Sequence, residues 1–252
     1  MSAFVLIHAF GSGPRAWQPQ IDALGAEHRI IAPELPGHGD TPGPLTLDRA
    51  TAAISEVIIA QPEPVHLVGI SGGGTVALLT ALAVQERLAG LVVSGASAKP
   101  ARTDAVQRAI MGLLPADVLA GMFKGMYSGG RPEYVATAVD DLRRAGKRTL
   151  LAGLRELGHL DLLPRLGEIG VPTLVLSGEK DRPNIAHARR IAAAVPGAEL
   201  RLVPDAGHLW NLEHPGLFSR TLTDFAAGCH RLGARMGELR GGYRQPHGMP
   251  YQ

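Results

Sequence analysis

The 252-residue chain has one cysteine, Cys229. That excludes an internal disulfide framework and makes a reducing cytoplasm the simplest home. No apolar run approaches the roughly 20 residues needed to cross a bilayer. Met1-Ser2-Ala3 leads directly into an apolar strand pattern, without a basic region or a cleavable apolar segment. Neither secretion nor a membrane partner is expected. No sign of charge predominates: the formal net charge is +2, and basic residues are interspersed with acids rather than clustered with the aromatics, which make up only 4% of the chain. The electrostatic footprint of a nucleic-acid binder is missing. HExxH-type ligand spacing is absent, and Gly11-Ser12-Gly13-Pro14 breaks any GxGxxG pattern. Neither a metal nor a cofactor is expected, and low internal similarity argues against repeats.

What the chain does contain is a 45% hydrophobic composition, enough for one well-buried domain. Apolar runs near Phe4 to His8, Arg29 to Ala32, Val65 to Ile70, Leu88 to Ser94, Thr173 to Ser177 and Glu199 to Val203 alternate with helical patterns, as parallel βαβ units require. The alternation predicts an α/β fold with a mostly parallel sheet of about six strands flanked by helices. It breaks between about Ser97 and Arg165. There, helical patterns at Ala105 to Leu114, Val118 to Met126 and Tyr134 to Leu157 are punctuated by Pro100, Pro115, Gly129, Gly130 and Pro132. The expected organisation is a core of residues 1–96 and 166–227, a helical cap at 97–165, and a C-terminal extension at 228–252. The extension lacks apolar periodicity and is expected to be disordered at least beyond Gly241.

The most informative stretch is Val65-His66-Leu67-Val68-Gly69-Ile70-Ser71-Gly72-Gly73-Gly74, an apolar strand running into GxSxG and then a helix. It has the form of a nucleophile elbow. Such a turn drives the serine towards positive φ and crowds the positions two before and two after it, where Gly69 and Gly73 carry no Cβ. Further along come Leu174-Val175-Leu176-Ser177-Gly178-Glu179-Lys180-Asp181, an apolar strand ending in an acidic loop, and Pro204-Asp205-Ala206-Gly207-His208. Asp205 lies only three residues before His208, too near to orient it, and Asp40 and Glu179 sit in neighbouring loops, so Asp181 is the expected acid. The chain order is Ser, Asp, His.

On these residues the chain resembles the α/β-hydrolase fold family from Phe4 to about Ala227, since that order is the family's own. Three further segments carry the resemblance. His8-Ala9-Phe10-Gly11 is similar to the HGxG oxyanion segment, with Ala9 in place of the usual glycine. Leu35-Pro36-Gly37-His38-Gly39-Asp40 resembles the PGHGxS turn. Gly207-His208-Leu209-Trp210-Asn211-Leu212-Glu213-His214-Pro215 with Phe218 matches GHxxxxExPxxF. The antiparallel hairpin that opens larger members is expected to be absent.

The resemblance implies a Ser71, His208 and Asp181 triad, with oxyanion donors at the backbone amides of Phe10 and Gly72. It also implies a cap over the site whose side chains set specificity. The expected apolar lining is Met111, Leu113, Leu114, Met122, Phe123, Met126, Tyr127 and Trp210. His8 and His38 are expected to shape loops. The expected activity is hydrolysis of a small or medium-sized carboxylic ester or lactone by a monomer or homodimer acting on a small-molecule substrate. A serine nucleophile argues against the dehalogenases and epoxide hydrolases of this fold, which use a carboxylate. Alternatives sharing the triad are a C–C bond hydrolase, a perhydrolase, and a lyase or synthase like the menaquinone-pathway synthase or hydroxynitrile lyases. A non-catalytic ligand-binding protein on the same scaffold is the alternative from another class. A lyase acting on a carboxylated substrate needs several cap arginines, among positions 102, 108, 131, 143, 144, 148 and 155, to point inward.

Overall fold

A computed structural model describes residues 1–100, 109–115, 118–119, 121 and 132–241, with side chains through Arg231. The sheet has six strands: β1 (Ala3–Ile7), β2 (Arg29–Ile31), β3 (Val65–Ile70), β4 (Leu88–Ser94), β5 (Thr173–Gly178) and β6 (Glu199–Val203). Their order is β2-β1-β3-β4-β5-β6, and every neighbouring pair is parallel. Strand composition follows position in the sheet. β3 lies at the centre and all six of its residues are buried, so apart from His66 it reads as an apolar run rather than an alternation. β6, at the edge, alternates exposed Glu199 and Arg201 with more covered residues.

The helices are α1 (Gln18–Leu24), α2 (Leu47–Ile59), α3 (Gly72–Val84), α4 (Pro132–Gly158), α5 (Arg182–Ala194), α6 (Trp210–Glu213) and α7 (Pro215–Gly241). Two apolar clusters form around the sheet. One packs Ile54, Ile58, Val76 and Leu78 of α2 and α3 against Val5, Leu67 and Val93. The other packs Trp17, Trp210, Phe218 and Leu222 against Phe4, Leu6, Val68 and Leu174. Among the described residues no helix is long and apolar enough to cross a membrane.

The strands occupy the predicted segments, but two helices differ from expectation. The predicted Tyr134 to Leu157 helix is broken at Gly146, whose φ of 75° and ψ of 155° are open to a residue without Cβ. The next residue, Lys147, donates to Gly112 O at 2.8 Å and Leu114 O at 2.6 Å, tying the second half of α4 to the helical residues 109–113. Of the Ala105 to Leu114 and Val118 to Met126 patterns, residues 105–108, 120 and 122–126 lie outside the described residues. At the C-terminus, α7 runs through the expected boundary at Ala227. Gly228 weakens a helix by about 1 kcal/mol without ending it, and His230 Nε2 lies 3.0 Å from Ser2 Oγ at the start of the chain. Residues 242–252 lie outside the described residues.

α4 is fastened across the loops that follow β1 and β2. Arg15 pairs with Asp140 at 2.6 Å and with Asp141, Thr149 Oγ1 donates to Gly37 O at 2.9 Å, and Glu156 Oε2 accepts from Leu47 N–H at 3.1 Å. These contacts seat α4 across loops at the C-terminal ends of the strands, where a parallel sheet presents its loops.

Candidate active site

Ser71 stands between β3 and α3 with φ 56° and ψ −125°, one of two non-glycine residues with positive φ among the described residues. Its N–H donates to Ser94 O at 2.8 Å, which fixes the turn against the end of β4. The glycines are a steric requirement of this turn. A Cβ on Gly69 would collide with the carbonyl of Gly73, and one on Gly73 with the carbonyls of Ile7 and His8.

Two loops on the far side of β4 meet this serine. His208 Nε2 lies 2.9 Å from Ser71 Oγ, and His208 Nδ1 lies 2.7 Å from Asp181 Oδ2. The three residues singled out from the sequence therefore form one hydrogen-bonded chain across 137 positions. In this arrangement imidazole Nδ1–H donates to the carboxylate and Nε2 accepts the serine proton. The Asp181 side chain is 7% exposed and that of His208 15%, so the pair is shielded while the imidazole keeps a little exposed surface. The other acids are elsewhere: the Asp205 side chain is exposed beside Lys180, and that of Asp40 is exposed beside Arg144.

Three residues not singled out in the sequence shape this chain. Asn184 Nδ2 donates to Asp181 Oδ1 at 2.8 Å and Oδ2 at 3.0 Å. Gly95, with φ 59°, lies beneath the pair, and a Cβ there would stand 2.9 Å from His208 Cε1. Glu213 Oε2 accepts from Gly207 N–H at 2.7 Å, closing the loop that carries His208, which gives the glutamate of GHxxxxExP a physical purpose. Only Glu213 lay within a recognised motif. Asn184 and Gly95 are ordinary residues locally, and their importance comes from neighbours distant in the chain.

The loop after β1 is held by two histidines. Leu35 N–H donates to His8 Nε2 at 3.1 Å, so His8 Nδ1 carries the proton and donates to Ala9 O at 2.9 Å. Gly11 N–H donates to His38 Nε2 at 2.9 Å, and His38 Nδ1 faces Pro36 O at 3.2 Å. Burial, and then the neighbouring His38, lower His8 to about 3, and burial also lowers His38. Both are neutral acceptors that join the β1 and β2 loops. The left-handed residue of the loop is Gly11 at φ 78°, while Ala9 does not have positive φ, so a Cβ at the position usually occupied by glycine is accommodated. The Phe10 ring is buried against Gly72, where a Cβ would stand 2.5 Å from the ring. Gly72 opens α3, so its N–H has no intrahelical acceptor.

The expected lining residues divide. Met111 is buried and Leu114 half-buried, both in the cluster containing Leu119, Leu142 and Leu150, whereas Leu113 is 87% exposed. Trp210 is a correction: it is fully buried, its ring centroid 4.5 Å from that of Phe218 and its Nε1 donating to Ser94 Oγ at 2.9 Å, which places it in the core beneath the site. Met122, Phe123, Met126 and Tyr127 lie outside the described residues, as do Arg102, Arg108 and Arg131. Arg143, Arg144, Arg148 and Arg155 are exposed. Among the described residues, no group of three His, Cys, Asp or Glu is placed to hold a metal ion.

The sequence profile of the alpha/beta hydrolase family matches residues 4–221. The chain belongs to that family. Among curated members it is 30% identical over 243 residues to a Variovorax paradoxus protein provisionally named carbamate hydrolase RutD, covering 89% of this chain and 91% of the relative. It is also 30% identical over 236 residues to a pimeloyl-[acyl-carrier protein] methyl ester esterase of Aromatoleum aromaticum, covering 84% and 92%. Among solved members, the esterase EaEST of Exiguobacterium antarcticum superposes with a TM-score of 0.81 at 20% identity, over 90% of this chain and 92% of that one, a likeness of fold.

Proposed function

We propose that this alpha/beta hydrolase is a serine hydrolase of carboxylic esters, acting on small or medium-sized esters or lactones. The observation that carries the reading is the unbroken chain from Ser71 Oγ through the His208 imidazole to Asp181, ending on a serine held at positive φ. His208 takes the serine proton as Oγ attacks the carbonyl, and Asp181 fixes the tautomer and stabilises the imidazolium that forms. The amides of Phe10 and Gly72 receive the oxyanion. His208 then returns the proton to the leaving alcohol, and water repeats the sequence on the acyl-enzyme. General-base action supplies about 10² to 10⁴ in rate and one oxyanion donor about 10² to 10³, so the groups act as a set.

Two observations favour acyl hydrolysis over a lyase or synthase on a carboxylated substrate. The described cap arginines, Arg143, Arg144, Arg148 and Arg155, are exposed instead of buried where a substrate carboxylate would need them. The two 30% identical relatives described above carry names for cleavage of a carbamate and of a methyl ester, whereas a Bacillus subtilis relative whose name is that of a synthase matches 88% of the chain at 26% identity. Met111 and Leu114, which pack in the cluster with Leu142 and Leu150, are the described members of the expected acyl-pocket lining that are covered.

Hydrolysis of p-nitrophenyl esters from acetate to octanoate, with Ser71→Ala prepared in parallel, tests the proposal. Serine-dependent turnover is expected, with a chain-length profile that sizes the pocket. Ser71→Ala retaining wild-type turnover in a clean preparation would overturn it.

A further inference from the structure

We propose that Asn184 is a positioning residue for this reaction: its side-chain amide holds the Asp181 carboxylate in the orientation that faces His208. The inference rests on the triad reading above and goes beyond it, because Asn184 belongs to no motif of the elbow, the acid loop or the histidine loop.

Asp181 is the N-cap of α5, and an aspartate there ordinarily turns its carboxylate onto the backbone N–H groups of the second and third helical residues. Here that carboxylate makes no cap bond. The local sequence explains why. The second helical residue is Pro183, which has no N–H. The third is Asn184, whose backbone N–H donates to the Asp181 carbonyl at 3.0 Å. Both of the helix's usual claims on the carboxylate are withdrawn, and the group is left able to face outward to His208.

A freed carboxylate is not yet an oriented one, since the terminal torsion of aspartate is broad. Asn184 supplies the constraint. Its Nδ2 reaches Oδ1 at 2.8 Å and Oδ2 at 3.0 Å, while Oδ2 alone faces His208 Nδ1 at 2.7 Å. The same Nδ2 lies 3.2 Å from His208 Nδ1, so the amide sits at the junction of the pair. Gly95 leaves room on the other side, where a Cβ would stand 3.4 Å from Asp181 Oδ2. Asn184 donates to Oδ1, the oxygen turned away from His208, and without that bond the carboxylate is free to rotate away from the imidazole.

The test is a double-mutant cycle of Asn184→Ala and Asp181→Ala, read in two ways. One is kcat and KM on the best p-nitrophenyl ester. The other is the rate of covalent labelling of the protein by a fluorophosphonate, which is measurable even when turnover is slow. If Asn184 acts through Asp181, Asn184→Ala lowers kcat and the labelling rate about tenfold with KM within twofold. In the Asp181→Ala background the same change costs less than twofold. Asn184→Asp, equal in size but unable to donate when ionised, covers the case in which the alanine variant misfolds, and loses activity likewise. An equal loss in both backgrounds marks Asn184 as merely structural and overturns the proposal, as does no loss in the native background. Failure of the triad reading is distinct: Ser71→Ala would then keep wild-type turnover and labelling.

Discussion

Phe10, in the loop after β1, lies so close to Gly153 of α4 that a Cβ on Gly153 would stand 2.5 Å from Cδ2 of the ring. The ring is thus held between Gly153 of α4 and Gly72, the residue after Ser71. Gly153→Ala is expected to displace the ring, and with it the Phe10 amide. kcat should fall about tenfold, short of the 10² to 10³ for complete loss of one oxyanion donor, with KM little changed. Phe10→Leu, combined with Gly153→Ala, should recover part of that loss by making room. Steady-state kinetics of the two single variants and the double variant check this, and a wild-type kcat for Gly153→Ala would remove the coupling.

Ser71 holds a backbone conformation that favours glycine. Ser71→Gly and Ser71→Ala should both be inactive, but only the glycine variant relieves the strain. It should be the more stable of the two by about 1 to 3 kcal/mol, a rise of several degrees in Tm. Calorimetry on the pair decides the matter, and equal melting temperatures would argue against stored strain.

Glu213 holds the loop before His208 through Gly207 N–H. Glu213→Ala removes the acceptor and should lower kcat about tenfold, with faster amide exchange at residues 205–208. Glu213→Gln keeps a neutral acceptor and should lie between the two. Exchange rates matching wild type in the alanine variant would show that the loop is held by other contacts.

Acid should destabilise this fold through two buried histidines. Burial and the neighbouring His38 lower His8 to about 3, and burial with His230 and His28 nearby lowers His66 to about 4. Neither ring nitrogen of His66 has a hydrogen-bond partner among the described residues. Both folded-state values lie below the unfolded value near 6.5, so the unfolded chain binds more protons as pH falls through that window. Stability is therefore lost below about pH 6.5, by about 2 kcal/mol per histidine at pH 5. His66→Phe keeps the ring packing against Phe4 and Phe225 and should remove its share of the acid loss. Urea unfolding of both proteins at pH 7.5 and pH 5 measures it, and parallel pH slopes would exclude His66 as a cause.

The strands and the elbow were legible in the sequence because each is a local demand, and Ser71, Asp181 and His208 through motifs whose order resembles that of the α/β-hydrolase family. A buried parallel strand needs an unbroken apolar run. A tight strand-to-helix turn needs glycines at positions 69 and 73, where the backbone of neighbouring segments leaves no room for a Cβ. Other features belong to the tertiary structure alone. Trp210 sits within a motif at the site yet is fully buried, because its ring is claimed by Phe218 and its N–H by Ser94. Asn184, Gly95 and Gly153 carry no local signature. Each matters through a group brought to it by folding: the Asp181 carboxylate, the His208 ring and the Phe10 ring. Periodicity and turn chemistry act over a few residues and can be read along the chain, whereas van der Waals exclusion and hydrogen-bond partnership act over a few ångströms and exist only once distant segments have been packed together.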